Sequence, residues 1–208
     1  MQVIKLVAGP VGTNIYIFYQ EGNQQAVVVD PEDANKILQC LKAEHLNCQA
    51  ILLTHGHFDH IAGADALREA TGAPLYVHAD DAALLSDASK NGSFLIRQPV
   101  TAKPAEHLLQ DGQVLDLAGC KITVLSTPGH TPGSVCFQVE DVLFTGDTLF
   151  AGGIGRTDLE GGSMQDITTS IEKLKALPGD YAVYPGHMES TSLEQERQSN
   201  PYLNEWSF

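Results

Sequence analysis

The sequence predicts an α/β fold in four layers, αββα, with two β-sheets packed face to face and helices on the outer sides. Two observations predict it. Strand-like apolar runs pass into helical stretches twice along the chain, once in each half. Histidines and aspartates stand just past several of those strands, beside glycines, which puts them on loops at one rim of the sheets. The 208 residues suffice for one sizeable domain and are too few for two ordinary ones. No linker or low-complexity block interrupts them, so residues 1–208 are expected to form a single domain.

Residues 3–7 read as a first strand and residues 9–12, Gly-Pro-Val-Gly, as a turn. Residues 14–19 and 26–29 flank Glu21-Gly22-Asn23, a hairpin signal. Pro31 ends the second of these strands. Residues 33–45 carry Ile37, Leu38 and Leu41 at helical spacing, with Asp33 as the N-cap. Residues 50–53, Ala-Ile-Leu-Leu, form a short buried strand. Residues 61–71 read as a helix stopped by Gly72, residues 75–78 as a strand and residues 79–85 as a short helix. Residues 86–106 are irregular, with Gly92, Pro99 and Pro104, and are either a flexible loop over the site or a plain surface connection. Strands follow at 114–117, 121–125, 134–139 and 142–144. Residues 150–162 are rich in glycine. Residues 164–177 form an amphipathic helix, 181–184 a last strand and 192–199 a terminal helix.

Residues 54–60 read Thr-His-Gly-His-Phe-Asp-His and follow the strand at 50–53. His55 and His57 are two apart, so in extended backbone they project to one side and reach one cation. Asp59 and His60 come after the turn and point to a second. Gly56 keeps the space between the first two free of side chain. A fold gains no stability by clustering four titratable groups, so the cluster reads as functional. His130, Asp147 and His187 have the same setting, one to five residues past a strand and beside glycine. His45 closes a helix, His107 lies in an irregular stretch, and His78 lacks the glycine neighbour; all three read as structural or solvated.

The formal net charge is −14, from 12 basic and 26 acidic residues. That argues against nucleic acid or an anionic membrane as partner. No run of 18 apolar residues occurs, and the N-terminus has no apolar signal core, so the expected location is cytoplasmic. Cys40, Cys48, Cys120 and Cys136 form no C-x-x-C pair and read as reduced core residues.

The order T-H-x-H-x-D-H, P-G-H-T-x-G, G-D and G-H resembles the metallo-β-lactamase fold superfamily across nearly the whole chain. Within it the sequence is similar to the short bacterial form of glyoxalase II, the hydroxyacylglutathione hydrolases. Gly146–Phe150, residues 153–158 (Gly-Ile-Gly-Arg-Thr-Asp), Pro185-Gly186-His187 and residues 196–203 carry that likeness. The resemblance implies that His55, His57 and His130 bind one metal ion, that Asp59, His60 and His187 bind a second, and that Asp147 bridges them. Zinc is the leading expectation, and iron or manganese also suit these N and O donors. Asp30 matches an aspartate that either hydrogen-bonds a ligand or caps its strand. Arg156 matches a basic residue that contacts the glutathione part of the substrate; otherwise it is a loop residue paired with Asp158 or Glu160. Asp59 is either a catalytic proton carrier or a ligand only.

The implied reaction is hydrolysis of a thioester of the S-D-lactoylglutathione kind to D-lactate and free thiol, by a hydroxide shared between two cations. Two dications, less Asp59, Asp147 and the hydroxide, leave a net charge of about +1, which favours an anionic tetrahedral intermediate. The expected partner is therefore a small-molecule thioester. Two departures from long glyoxalase II bear on the thiol. Glu189 stands where those enzymes have Tyr, and their C-terminal helical domain is not expected here. The same fold also carries persulfide dioxygenases with one iron, and lactonases. Many of its β-lactamases have Cys or Ser where this chain has Asp147.

Overall fold

Apolar residues occupy both faces of the central strands, and the period-two alternation of a strand sends neighbours to different layers. The computed structural model, which describes residues 1–204, shows where each face goes. The first sheet has the order β1 (Gln2–Ala8), β2 (Thr13–Tyr19), β3 (Gln25–Val29), β4 (Asn47–Leu52), β5 (Leu75–His78) and β6 (His107–Leu109). Its first three strands are antiparallel and the last four parallel. The helices α1 (Ala34–Ala43), α2 (Phe58–Ile61) and α3 (Ala64–Thr71) lie within this half. The second half holds β7 (Val114–Leu117), β8 (Cys120–Ser126), β9 (Val135–Val139), β10 (Val142–Gly146), a two-strand ribbon of β11 (Leu149–Phe150) and β12 (Gly153–Ile154), then α4 (Met164–Lys175), β13 (Ala182–Pro185), β14 (Thr191–Ser192), α5 (Leu193–Ser199) and α6 (Pro201–Asn204). The second sheet has the order β14-β13-β10-β9-β8-β7, with β10 and β13 parallel.

Three apolar clusters separate the layers. From β2, Ile15 and Ile17 pack with Ile37 and Leu41 of α1 and Leu67 of α3. Between them, Tyr16 and Phe18 face the other sheet and pack with Val124, Phe137 and Phe144. On the far side, Cys136, Leu143 and Val183 pack with Ile167, Ile171 and Leu174 of α4. Helices, sheet, sheet and helices therefore stack as the sequence predicts. Tyr16 and Phe18 hold Phe144 at ring distances of 5.3 and 5.1 Å. Each such buried ring contributes about 1.5–3 kcal/mol of transfer free energy, so this inter-sheet seam fixes how the rims meet. Caps set the helix starts. Asp33 accepts from the amides of Asn35 and Lys36, and Ser163 from that of Asp166.

Several expectations are corrected or sharpened. The helix expected over 61–71 is two helices, α2 and α3. The break lies at Gly63, whose amide donates to the Pro31 carbonyl at 2.7 Å. A Cβ there would sit 2.6 Å from the Ala34 nitrogen, so this close approach to the β3–α1 connection stops a continuous helix. Asp59 and His60 consequently stand on a helix and not past a turn. His107 is not in an irregular stretch: it begins β6 and stacks on Tyr76 at 4.4 Å. Residues 79–85 form a 3₁₀ segment, Ala79–Ser86. The glycine-rich stretch contains the β11–β12 ribbon.

Candidate metal centre

Parallel pairing of β3 with β4, and of β10 with β13, puts their carboxyl ends along one rim. Asp30 follows β3. His55 and His57 follow β4, and Asp59 and His60 open α2. His130 follows β8, Asp147 follows β10 and His187 follows β13. Two backbone bonds stitch the sheets together here, Asn14 N–H to Gly186 O at 2.7 Å and Val135 N–H to Thr54 O at 2.8 Å. Gly186 is required by crowding, since a Cβ would lie 2.3 Å from Asp147 Oδ1 and 2.8 Å from His60 Cε1. Gly56 is required for another reason than the one expected. Its Cβ would meet Leu84 Cβ at 2.8 Å, so it admits the Ala79–Ser86 segment and not a ligand.

The seven side chains converge. His55, His57 and His130 present ring nitrogens within 4.8 Å of one another; His55, His60 and Asp147 form a second such group, and Asp59, His60 and His187 a third. Asp147 Oδ2 lies 3.5 Å from His130 Nε2 and 3.4 Å from His187 Nε2, while its Oδ1 lies 3.5 Å from His60 Nε2. It therefore faces both ends of the cluster. Apart from His60 Nδ1, which lies 2.9 Å from Asp30 Oδ2, the described side-chain atoms buried without hydrogen-bond partners are His55 Nε2, His57 Nε2, His60 Nε2 and Asp147 Oδ1. Each orphaned buried polar atom costs about 1–3 kcal/mol. Four at one rim among donors of a metal's preferred kind fit divalent cations and serve no packing purpose.

Surrounding groups set the rings. Asp30 Oδ2 lies 2.9 Å from His60 Nδ1 and accepts from Thr54 Oγ1 at 2.7 Å, and Asp30 Oδ1 accepts from the Thr54 amide at 2.8 Å. Thr54 Oγ1 in turn lies 3.1 Å from His55 Nδ1. One carboxylate thus orients two rings and turns their Nε2 atoms toward the cluster. Asp30 holds this position at φ +54°, a left-handed conformation that Asp tolerates better than most residues. His130 Nδ1 lies 2.8 Å from the Arg156 carbonyl oxygen, which fixes that ring in the same sense. Sequence reasoning missed two further groups. Thr13 Oγ1 donates to Asp59 Oδ2 at 2.7 Å. Asp81, fully buried, accepts from Gly56 N–H at 2.8 Å, Thr131 Oγ1 at 2.7 Å and Gly133 N–H at 2.7 Å, and so ties the two histidine loops together.

Burial and neighbouring histidines hold the His55 ring well below its ordinary range, and burial with His130 takes His57 down to about 3. His60 behaves oppositely. Burial lowers it, but Asp59, Asp30 and Asp147 outweigh that and raise it well above 6.5. His187 resists burial in the same way and rises to about 9 through Asp147 and Asp59. Against the burial penalty, His60 and His187 hold the Asp59 carboxyl well below its usual range, and His60 takes Asp147 to about 2. At pH 7 in chelated protein, His55 and His57 are neutral while His60 and His187 carry protons. A ligand must shed its proton to bind a cation. Cation uptake at pH 7 is therefore expected to release about two protons per chain, and affinity falls as pH drops below about 9, where His187 charges. Dye-reported proton release in weak buffer measures this, and none released would contradict it.

Arg156 lines the cleft beside the cluster, but its guanidinium grips Asp158 through Nε at 2.6 Å and through its second terminal nitrogen at 2.8 Å. His45, His78 and His107 lie outside the cluster; His78 Nε2 lies 3.2 Å from Ser126 Oγ. All four cysteines are free, and burial pushes Cys48 up to about 12 and Cys136 to about 11, so neither is a ready thiolate. Among the described residues no helix is long and apolar enough to cross a membrane.

Residues 8–187 match the family model of the Metallo-beta-lactamase superfamily. The probable metallo-hydrolase YqgX of Bacillus subtilis (strain 168) is 43% identical over 98% of both chains. The hydroxyacylglutathione hydrolase GloC of Haemophilus influenzae is 34% identical over 88% of this chain and 90% of its own. Among solved structures, the BLEG-1 B3 metallo-beta-lactamase superposes with a TM-score of 0.93 at 42% identity, covering 98% of this chain and all of that one. Motif order, layer architecture and the rim cluster agree with these matches, and the chain belongs to the metallo-beta-lactamase superfamily as a metallo-hydrolase.

Proposed function

We propose that the protein is a metal-dependent hydrolase of acyl thioesters. The convergence of seven N and O donors, five of them lining one cleft, carries the reading. His55, His57 and His130 would hold one divalent cation and Asp59, His60 and His187 a second, with Asp147 facing both. Zinc suits this set best, and iron or manganese are compatible. Cations held there would supply a hydroxide-like nucleophile near neutral pH and positive charge for the oxyanion. The chain's own residues do the rest. Asp30, Thr54 and the Arg156 carbonyl keep the rings in one tautomer. In the chain without metal, His60 and His187 keep the Asp59 carboxyl ionised, and as a carboxylate it would accept a hydrogen bond from the attacking water. Thr13 holds the Asp59 oxygen in place. A thiolate leaves with little acid assistance, which suits a thioester substrate.

The likeness to GloC supports a thioester, S-D-lactoylglutathione included. The likeness to BLEG-1 favours a second reading, β-lactam hydrolysis, although Asp147 replaces the Cys or Ser common in such enzymes. Thioesters, lactones, persulfides and a chromogenic cephalosporin, assayed on one preparation of measured metal content, separate the readings. Thioester turnover that tracks metal content supports the proposal, and turnover confined to the cephalosporin or persulfide overturns it. Arg156→Ala is expected to raise KM more than it lowers kcat, because the side chain stands in the cleft wall away from the bond being broken. Steady-state kinetics with an unchanged KM would remove Arg156 from the substrate site.

A further inference from the structure

Separate segments bring apolar side chains to one opening above the cluster. The cleft encloses about 430 Å³, and Val11, Leu95, Phe150, Ile154, Leu159 and Met188 form its walls. Val11, Leu95 and Met188 are 48%, 48% and 56% exposed. Large apolar residues scattered singly over a surface mean nothing, but here they share one mouth. The Met188 backbone and the loop that leads to Leu95 are also tied down. Met188 sits at φ +65°, and its carbonyl accepts from Lys5 Nζ at 2.7 Å and Asn14 Nδ2 at 2.9 Å. Beside Leu95, the buried Asn91 amide donates to the carbonyls of Leu84 at 3.2 Å and Val100 at 2.9 Å. A strained residue pinned by two donors while its thioether stays in solvent is a cost that a plain surface loop avoids.

Charge points the same way. Among the residues lining the cleft, Arg156 is the sole Lys or Arg, and Asp158 already engages one edge of its guanidinium through Nε and one terminal nitrogen. A glutathione thioester brings two carboxylates to bind. The chain's net charge of −14 adds repulsion at long range. Glu189, beside Met188, has a side chain 95% exposed.

We infer that the thioester cleaved here, on the reading proposed above, has an uncharged apolar body packed against Val11, Leu95 and Met188. Arg156 contributes its hydrocarbon stem to that wall, and not its charge. The step balances with water alone. The water oxygen bonds to the acyl carbon, the carbon–sulfur electron pair leaves with sulfur, and a water proton ends on the thiol beside the carboxylic acid.

Thiol release by metal-loaded enzyme from hexanoyl-N-acetylcysteamine and from S-D-lactoylglutathione tests this. A kcat/KM at least about tenfold higher for the hexanoyl compound is expected, as a few methylenes in an apolar pocket are worth that much. Leu95→Asn, an uncharged change at an exposed position, is expected to lower the hexanoyl value about tenfold and the glutathione ester value by a clearly smaller factor. Arg156→Met, which removes the charge and keeps a hydrocarbon chain, is expected to raise the hexanoyl KM less than Arg156→Ala does. Preference for the glutathione ester, with a KM raised by Arg156→Met and indifferent to Leu95→Asn, overturns the apolar body while leaving a thioesterase. Failure of fully loaded enzyme on both compounds overturns the thioesterase reading and this inference with it.

Discussion

His57→Ala is expected to lower thioester hydrolysis by more than about a hundredfold while the chain stays folded. Loss of a group that merely orients a metal ligand costs about 10–100-fold, and His57 is itself placed as a ligand. The fold loses nothing with it. The residue precedes α2 but makes no side-chain capping bond. Its Nε2 is one of the orphaned buried atoms, and its Nδ1 meets His130 Nε2 at 2.9 Å and nothing else. Trimming it removes an unpaired polar atom, so chelated wild type and chelated variant are expected to melt within about 3 °C of each other. Metal content, melting temperature and turnover on one preparation decide the matter. Full metal content with more than about a tenth of wild-type turnover would place the ligand role elsewhere.

Why the candidate ligands were legible and their supports were not follows from the chemistry of each. A cation restricts its donors to a few residue types, and a sheet rim restricts them to positions just past strands. His55, His130, Asp147 and His187 satisfy both conditions in the sequence, each beside a glycine. The alternation in residues 13–19 likewise shows two buried faces, which is why the layer order could be read. Thr13, Thr54 and Asp81 satisfy no such pattern. The partners of Asp81 are two backbone amides and a hydroxyl about 25 and 50 residues away, and any sequence supplies an amide. Its one signal was misleading, since Asp80-Asp81 at the head of a short helical stretch looks like a solvated first turn. The ribbon β11–β12 and the strand β6 are two and three residues long, too short to show a period. The break between α2 and α3 did leave a mark, an isolated Gly63 inside a helical pattern, but its meaning lies in the Pro31 carbonyl opposite.

Asp81→Ala is expected to destabilise the chain by about 3–6 kcal/mol and to empty the metal site, although Asp81 is proposed to touch no cation. The variant leaves the Gly56 amide, the Gly133 amide and the Thr131 hydroxyl buried without an acceptor, at about 1–3 kcal/mol each. The carboxylate itself suffers from burial, which pushes it above its ordinary range, while Thr131, Gly56 and Gly133 pull it back. Removing it recovers part of that penalty, which keeps the net loss near the lower end. For a chain of this length about 3 kcal/mol lowers the melting temperature by roughly 6–12 °C. The functional loss follows from where the three donors sit. Gly56 separates His55 from His57, and Thr131 follows His130, so releasing them frees both loops that carry the first histidine set. Asp80→Asn, on an exposed neighbour, is expected to stay within about 0.5 kcal/mol and serves as the control. Asp81→Ala that melts within about 3 °C of wild type and retains its metal would show that the histidine loops hold their positions without this strap.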